Sequence, residues 1–325
     1  MENSSTEILD LSSLPQEKWW TDECLYQVGG FWLMPEVVQS VDRVIKQFKP
    51  LSSDIILASF PKTGTTWLKS LLFSIVHRSA KDRLAIESPH NLVPSLEMLV
   101  YAKPNQPLIT NIPFSTNNQS CRIFSTHIPY QLLAETLNSS ECRVVYVTRN
   151  PKGRPISMWH FVNKWHFVNK WKKAKEKPWP FEVAVDKFCN GTFPCGPYYD
   201  HVMGYKKLSM ERPSKIFFVT YEELKNDPKT HVKKLAEFLG YPFEGKENVE
   251  EQVEEVVKSC SFEVLSNHKV NKSEESPNWF KVPYNSFFRK GAIGDHENYL
   301  CDETIERIDA LTREKFHSCG FMYGI

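Results

Sequence analysis

One stretch of the sequence, Asp54-Ile-Ile-Leu-Ala-Ser-Phe-Pro-Lys-Thr-Gly-Thr-Thr-Trp67, decides the fold. Its first part is a short apolar run, which is typical of a strand covered on both faces of a parallel sheet. The glycine lets the backbone approach a ligand closely, and the apolar stretch from about Thr66 to Val76 predicts a helix. A strand, a loop and a helix in this order direct backbone N–H groups toward one point, which predicts an anion-binding loop.

The residue types inside this loop suit a phosphate-like anion. Lys62 supplies a mobile positive charge, and Thr65 and Thr66 add hydroxyl donors. Trp67 is placed to stack on a nucleotide base. The loop is not a Walker A sequence, because Lys62 precedes Gly64 and the G-x-x-x-x-G-K-S/T spacing is absent. The alternative is an ordinary strand–turn–helix connection with a solvated lysine. That alternative would explain a lone glycine, but it does not explain the whole pattern of residues.

Three further apolar runs predict buried parallel strands, namely Arg122–Thr126, Arg143–Thr148 and Lys215–Thr220. Helical patterns lie between them and continue afterwards, with the clearest amphipathic helices at His231–Leu239 and Cys301–Phe316. This alternation predicts an α/β fold with one central parallel sheet flanked by helices. We expect every strand to join that sheet.

No change of composition marks a linker, so we expect one domain in all. Residues 1–50 are predicted to form an N-terminal extension and a helix that packs on the core, and residues 51–325 the main domain. Residues 267–288 are polar and rich in turn residues, which predicts a mobile loop.

A hexapeptide is duplicated in the middle of the chain. Trp159-His-Phe-Val-Asn-Lys164 is followed at once by an identical copy at residues 165–170. Six extra helical residues lengthen a helix by roughly 9 Å, so the simplest interpretation is a lengthened surface helix. A shifted wall of a binding site is the alternative.

Charge and cysteine content limit the possible partners. The sequence has 40 basic and 39 acidic side chains, so no overall field favours nucleic acid or an anionic membrane. Its eight cysteines include no C-x-x-C pair and no zinc-like spacing, which predicts reduced thiols and no metal site. The N-terminus carries no apolar signal segment, so we expect a cytoplasmic protein without a membrane partner.

Three separated motifs resemble those of the cytosolic PAPS-dependent sulfotransferases. The sequence is most similar to those of the plant members. They are the loop ending at Trp67, Arg149 with Ser157 eight residues on, and the run Arg289-Lys290-Gly291. The third strand is followed by Arg149, where a magnesium-dependent nucleoside triphosphatase would be expected to have aspartate. The resemblance covers nearly the whole chain and implies the P-loop-kinase-like sulfotransferase fold.

The resemblance also implies how the donor would be held. PAPS carries a sulfated 5′-phosphate and a separate 3′-phosphate, so it needs two anion sites. The 5′ site corresponds to Lys62, Thr63, Gly64, Thr65, Thr66 and Trp67. The 3′ site corresponds to Arg149, Ser157, Arg289, Lys290 and Gly291. Tyr221 and Phe262 are expected at the adenine or ribose, with Cys260 and Leu265 as weaker candidates.

By the same resemblance, His127 is the expected general base and Lys62 the residue that stabilises charge on the leaving nucleotide. His127 follows the second strand at the carboxyl edge, where open α/β sheets place ligands. An imidazole titrates near neutral pH and can accept the proton of an acceptor hydroxyl. The expected reaction is in-line sulfuryl transfer with PAP as product, without a metal. A lone histidine is more often structural, and the position within the family favours the catalytic role.

The chain departs from the family in several places. Gly153-Arg154-Pro155 stands where a helix N-cap aspartate is common, and His296-Glu297 reverses one charge near the last motif. Many animal members have lysine at the position of Ser125, so a third catalytic cation is not carried over. Their dimer signature is not met near the C-terminus, so we expect a monomer or a weak homodimer.

Competing functions remain. A nucleotide kinase or NTPase would share the first strand, loop and helix, and a Golgi sulfotransferase would need an N-terminal anchor. A catalytically weak or inactive nucleotide-binding member of the family is the main alternative. The acceptor is expected to be a flavonoid, a steroid, a jasmonate or another hydroxylated plant metabolite, in a pocket to which Trp32, Tyr101 and the 267–288 segment contribute.

Overall fold

The computed structural model describes residues 9–20, 23–104, 121–169, 178–245, 248–275 and 282–325, with the backbone alone at residues 20 and 165–169. Its strands are β1 Gln16–Trp20, β2 Glu23–Val28, β3 Phe31–Leu33, β4 Ile55–Ser59, β5 Ile123–Thr126, β6 Arg143–Thr148 and β7 Ile216–Thr220. The four strands that the apolar runs predict are confirmed, each within one residue at its start.

The helices cover much of the remaining described chain. They are α1 Pro35–Gln47, α2 Thr65–Val76, α3 Pro89–Leu92, α4 Tyr130–Asn138, α5 Gly153–Asn169, α6 Phe181–Cys189, α7 Tyr198–Glu211, α8 Tyr221–Asn226, α9 Pro228–Phe238, α10 Val249–Ser259, α11 Phe262–Asn267, α12 Lys269–Lys272 and α13 Asp302–Lys315. The predicted helices after the loop, at residues 231–239 and at residues 301–316 correspond to α2, α9 and α13.

The central sheet is parallel throughout, in the order β5-β4-β6-β7. Strand β4 is buried along its whole length, and its side chains alternate between two hydrophobic cores. Ile56 and Ala58 pack in the core that includes α1, α4 and α7, whereas Ile55 and Leu57 pack in the core that includes α2, α9 and α10. Helices on both faces explain why this strand is a continuous apolar run.

The prediction that every strand joins one sheet is wrong. β1, β2 and β3 form a separate antiparallel sheet near the N-terminus. The β2–β3 turn is Gly29-Gly30, and both glycines have positive φ, as a tight two-residue hairpin requires. The Gly29-Gly30 pair was the sequence signal for this hairpin. Helix α1 follows and buries Val38, Val41 and Val44 in the core of the central sheet. The domain division near residue 50 stays a prediction.

The segment at residues 267–288 is more structured than a loop. It contains α12 and a 3₁₀ turn at Tyr284–Phe287, so the prediction of a loop is wrong for these residues. Asn271 is buried and donates from Nδ2 to the carbonyl of Leu265 at 2.9 Å, which fixes α12 against α11. Residues 276–281 lie outside the described residues.

The duplicated hexapeptide lies in α5, whose helical backbone runs through the first copy and into the second as far as Asn169. In the first copy, Trp159 Nε1 donates to the carbonyl of Trp179 at 2.5 Å, and Asn163 Oδ1 accepts from the backbone N–H of Trp179 at 2.7 Å. The first copy is therefore anchored to the chain that precedes α6. Side chains of the second copy lie outside the described residues.

Within the described ranges, none of the helices combines the length and the apolar character that a membrane crossing requires.

Candidate active site

A cavity of about 690 Å³ lies at the carboxyl ends of the central strands and collects most of the predicted site residues. Its lining includes Lys62, Gly64, Thr65, Thr66, Trp67, His127, Arg149, Ser157, Tyr221, Phe262, Arg289, Lys290 and Gly291. These residues come from segments that are up to about 230 positions apart, and parallel strands bring their carboxyl ends to one edge. Thr63 is the exception. It is buried, and its hydroxyl donates to the carbonyls of Phe60 at 2.7 Å and Val147 at 3.1 Å.

The predicted anion-binding loop joins β4 to α2. Gly64 has φ 115°, in the left-handed region, and immediately precedes the first residue of α2. A Cβ at this position would lie 2.8 Å from Tyr221 Cδ2, so only glycine fits. Among the residues that the structure describes, no side chain caps the start of α2, and its first turn holds no acidic residue. The helix N-terminus is therefore open to an anion.

Cations gather around this loop. Lys62 Nζ lies 4.0 Å from the centroid of the Phe161 ring. Burial lowers the pKa of Lys62 to about 7, and the nearby charges of Arg154, Arg289, Arg149 and Lys164 add to this effect. Over the described part of the chain, Lys62 forms no ion pair with a carboxylate. Such a cluster of like charges is stabilised when an anion binds among them.

Arg149 follows β6 and faces the cavity. Its guanidinium lies 4.3 Å from the centroid of the Tyr221 ring and donates to the carbonyl of Ala292. Tyr221 begins α8, where a capping box between Thr220 and Glu223 starts the helix directly after β7. The hydroxyl of Tyr221 donates to the carbonyl of Gly291 at 3.0 Å. Arg149, Tyr221 and the third predicted motif are thus joined in one cluster.

The turn at residues 289–291 packs tightly on Phe262. Gly291 has φ 61°, and a Cβ there would lie 2.5 Å from Phe262 Cδ2. Arg289 and Lys290 each pair with one oxygen of Asp295, at 2.5 and 2.7 Å. Although burial raises the pKa of Asp295, hydrogen bonds from Lys290 and Arg289 lower it to about 2. The carboxylate thus holds both cations at the rim of the cavity.

The sequence departs from the family pattern near the start of α5, and the structure shows where these residues lie. Pro155 lies in the first turn of α5, where proline is tolerated. Asn150 Oδ1 accepts from the backbone N–H of Lys152 at 3.0 Å, which satisfies one donor just before the helix. Arg154 is buried at 1% exposure, and its Nη1 donates to the carbonyl of Pro61 at 3.3 Å. The sequence marked Arg154 as unusual but did not reveal that it lies behind the anion-binding loop.

Hydrogen bonds hold both the ring and the backbone of His127, and Ser59 Oγ also lies 3.3 Å from the ring Nδ1. The same Nδ1 lies 2.7 Å from the carbonyl oxygen of Ser59, the backbone N–H of His127 donates to Glu97 Oε1 at 2.8 Å, and the carbonyl of His127 accepts from His201 Nε2 at 3.1 Å. A carbonyl oxygen only accepts, so Nδ1 carries the proton in the neutral ring and Nε2 remains as an acceptor. Burial lowers the pKa of His127, and the Glu97 carboxylate partly opposes that shift.

Sequence reasoning missed several charged or titratable residues that line the cavity, among them Lys69, His90 and Glu97. Lys69 Nζ lies 3.3 Å from His90 Nδ1, and His90 Nε2 lies 3.1 Å from Thr66 Oγ1. Burial lowers the pKa of Lys69 to about 7, and Glu97 opposes this. Lys69 and Glu97 are charged residues inside apolar runs, which was the only signal in the sequence.

Much of the remaining lining of the cavity is apolar. This apolar wall includes Trp19, Met34, Val37, Met98, Met158, Phe161, Val162 and Phe287. Trp32 and Tyr101, which the sequence analysis assigned to it, do not line the cavity. Tyr101 is buried against Phe48, and the Trp32 backbone pairs with residues 195 and 196. Of the weaker candidates, Leu265 lines the cavity, whereas Cys260 is buried beside Ser74.

Comparisons with known proteins identify the family of this chain. The sulfotransferase domain matches residues 52–320. Cytosolic sulfotransferase 5 of Arabidopsis thaliana is 38% identical over 99% of this chain and 97% of its own length. Flavonol 4′-sulfotransferase of Flaveria chlorifolia is 38% identical, covering 92% of this chain and 90% of its own.

Solved structures share the fold. A crystal structure of an Arabidopsis thaliana sulphotransferase has a TM-score of 0.71 at 35% identity, covering 96% of this chain and 93% of its own. A mouse sulfotransferase complexed with PAP has a TM-score of 0.64 at 22% identity, covering 91% and 95% of the two chains. The latter likeness concerns the fold alone. With its domain match, its near full-length relatives and its central parallel sheet, this chain belongs to the sulfotransferase family of enzymes.

Proposed function

We propose that the protein transfers a sulfuryl group from PAPS to a hydroxyl group of a small molecule and releases PAP. The observation that carries this proposal is the meeting of three separated cationic motifs with His127 in one cavity. The gathered cations favour a polyanionic ligand, and the imidazole next to them supplies a base. Membership of the sulfotransferase family is shown above. The donor, the class of acceptor and the mechanism are what we propose in addition.

The residues present fit PAPS. One anionic end would be held by the loop, with Lys62 and the open N-terminus of α2. The other would be held by Arg149, Ser157 and the turn at residues 289–291. Trp67, Tyr221 and Phe262 line the cavity with these groups and offer aromatic surface for a nucleoside. Trp67 Nε1 is buried and, among the described residues, has no hydrogen-bond partner, which leaves a donor for a ligand.

Different residues of the chain would then have different roles in the reaction. When bound, PAPS supplies an activated sulfuryl group whose bridging S–O bond breaks as the acceptor oxygen forms a new S–O bond. His127 Nε2 accepts the proton of the acceptor hydroxyl. Lys62 stabilises the negative charge that develops on the bridging oxygen, and Arg149 with the 289–291 turn keeps the nucleotide in place. These cations supply the positive charge, so we propose that no metal is required.

The acceptor is proposed to be a small hydroxylated molecule with a largely apolar body, since much of the cavity lining is apolar. A flavonol, a steroid or a hydroxylated jasmonate meets this description. The relative from Flaveria chlorifolia is named for a flavonol, which supports the first of these. Relatives are also named cytosolic, and we propose a cytoplasmic location and a monomer or weak homodimer for this chain.

A transfer assay tests the proposal. Purified protein is incubated with sulfur-35-labelled PAPS and a panel of hydroxylated plant metabolites, with and without EDTA, and labelled products are counted. We expect transfer to at least one acceptor, no effect of EDTA, and loss of transfer in Lys62→Met. Tight binding of PAP without transfer to any acceptor would favour the alternative, a catalytically inactive nucleotide-binding member. Inhibition by EDTA would contradict the metal-free mechanism.

A further inference from the structure

Glu97 is a buried carboxylate whose two oxygens both face the end of β5. Its side chain is 2% exposed. Oε1 accepts from the backbone N–H of His127 at 2.8 Å, and Oε2 accepts from Thr126 Oγ1 at 3.0 Å. Thr126 Oγ1 in turn accepts from the backbone N–H of Ile128 at 3.0 Å. One carboxylate therefore organises the main chain on both sides of His127.

The segment that carries Glu97 is itself fixed to the sheet. Glu97 lies in a single π-helical turn at Leu96–Val100, and the hydroxyl of Ser95 accepts from the backbone N–H of Met98 at 3.3 Å. The backbone N–H of Ser125 donates to the carbonyl of Pro94 at 2.9 Å, and Ser95 forms a parallel bridge with Ser125. Glu97 thus has a defined position relative to β5 and does not depend on a mobile loop.

Burial of an ionised carboxylate is unfavourable unless cations and donors surround it. The groups around His127 supply that environment. Burial, Lys69 and Lys62 lower the pKa of His127, whereas Glu97 and the hydrogen bond with the Ser59 carbonyl raise it. The other titratable neighbours are His90 and His201, whose own pKa values burial lowers, to about 3 for His201. Glu97 is therefore the negative charge that opposes the two lysines at His127.

We propose that Glu97 is a positioning residue for the transfer reaction. It fixes the backbone of His127, and its charge stabilises the imidazolium that forms when His127 Nε2 takes the acceptor's proton. The proton passes from the acceptor oxygen to His127 Nε2 and goes no further during the transfer. This inference rests on the proposed function, because it assigns a role relative to the proposed base.

The test compares Glu97→Gln with Tyr205→Phe. Glutamine keeps an oxygen that can accept from the backbone N–H of His127 but removes the charge. Tyr205 is buried, and its hydroxyl donates to the carbonyl of Ile128 at 2.9 Å, one residue beyond His127. Tyr205→Phe therefore removes a buried hydrogen bond close to the same turn and leaves Glu97 intact. It is the matched control for a merely structural effect.

For Glu97→Gln we expect kcat to fall by about tenfold or more, because a less basic histidine is a weaker general base. The acid limb of the kcat/KM profile should move to lower pH by about one unit, since loss of the carboxylate lowers the pKa of His127. The Kd for PAP and the KM for the acceptor should change little. Tyr205→Phe should keep the acid limb of the wild-type protein.

An NMR titration separates this inference from the proposed function. The pKa of the His127 ring is followed in the PAP complex of the wild-type protein and of Glu97→Gln, which needs no turnover. A lower pKa in the variant supports the role of Glu97 even if no acceptor is sulfated. An unchanged pKa, or an equal shift of the acid limb in Tyr205→Phe, would overturn the inference.

Discussion

The Nδ1 atom of His127 lies 2.7 Å from the carbonyl oxygen of Ser59, the last residue of the strand that leads into the anion-binding loop. This hydrogen bond ties the orientation of the imidazole to the segment that carries Lys62. Because β4 and β5 are parallel neighbours, their carboxyl ends meet and the contact is a direct result of the sheet order. The proposed base and the proposed donor site are therefore held in fixed relation.

Replacement of His127 separates transfer from binding. We expect His127→Ala to lower kcat by about 10² to 10⁴, the range for loss of a general base, while the Kd for PAP stays close to that of the wild-type protein. His231→Ala is the control, because His231 lies on α9 and contacts only the local carbonyl of Asp227 among its hydrogen-bond partners in the described chain. Steady-state kinetics and calorimetric titration with PAP measure both quantities. Preserved turnover in His127→Ala would rule out this base.

Lys62 makes the binding of PAP depend on pH. Its pKa in the free protein is lowered to about 7 by burial and neighbouring cations, and a bound anion favours the protonated form. Above that pKa a proton must be taken up on binding, so the Kd should rise by up to about tenfold per pH unit. The range from about pH 7.5 to 9.5 is suitable, because phosphate groups are already doubly ionised there.

Lys62→Arg provides the comparison, since arginine stays charged over this range. We expect its Kd for PAP to vary much less with pH than that of the wild-type protein. Calorimetry in buffers of different ionisation enthalpy measures the protons taken up. Equal pH dependence in the two proteins would mean that another group, such as Lys69, is responsible.

Gly291 tests the fit of the turn on Phe262. Gly291→Ala should raise the Kd for PAP by about tenfold or more, because the new Cβ would lie 2.5 Å from Phe262 Cδ2 and must displace the turn. Gly294→Ala is the control, since it has a similar positive φ but only Glu297 Oε1 nearby, at 3.8 Å. Equal losses in both variants would indicate backbone strain instead of the contact with Phe262.

The ion pair between Lys152 and Asp309 should contribute to stability. Its atoms are 2.6 Å apart, the side chains are 8% and 9% exposed, and it joins the start of α5 to α13. Lys152→Met leaves a buried carboxylate unpaired, so we expect the free energy of unfolding to fall by about 3 to 5 kcal/mol. Lys229→Met, at the exposed pair with Glu254, should cause no measurable change in urea unfolding. If the unpaired carboxylate is the cause, the double variant Lys152→Met/Asp309→Leu should have a free energy of unfolding close to that of the wild-type protein. A wild-type free energy of unfolding in Lys152→Met alone would refute this explanation.

Deletion of residues 165–170 tests the duplicated hexapeptide. One copy remains after the deletion, Ser157 keeps its place in α5, and the contacts of Trp159 and Asn163 with Trp179 lie in the retained copy. We therefore expect an unchanged Kd for PAP. Phe161 and Val162 of the apolar wall also lie in the retained copy, so an altered order of preference among acceptors would support a shifted wall of the binding site, whereas an unchanged order would support a lengthened surface helix. A large loss of PAP affinity would show that the second copy supports the donor site.

The parts of the fold that could be predicted are those with local signals. The four strands of the central sheet are continuous apolar runs, and α2 follows a loop with a recognisable pattern. The N-terminal sheet was missed because its strands are half-buried and mixed in polarity, although Gly29-Gly30 indicated a hairpin. The assignment of Trp32 and Tyr101 to the pocket was wrong because neighbours from distant segments decide which aromatic faces a cavity.

By itself, the sequence determined the α/β class and the strand–loop–helix order of the predicted anion-binding loop, since residue type and spacing carry that information along the chain. The resemblance to the sulfotransferases added the set of residues proposed to hold PAPS. Only the tertiary structure decided the surroundings of His127. The Ser59 carbonyl sets its tautomer, the Glu97 carboxylate opposes the charges of Lys69 and Lys62, and Arg154 lies buried behind the loop. These effects depend on distance and on exclusion of water, which arise when segments remote in sequence pack together.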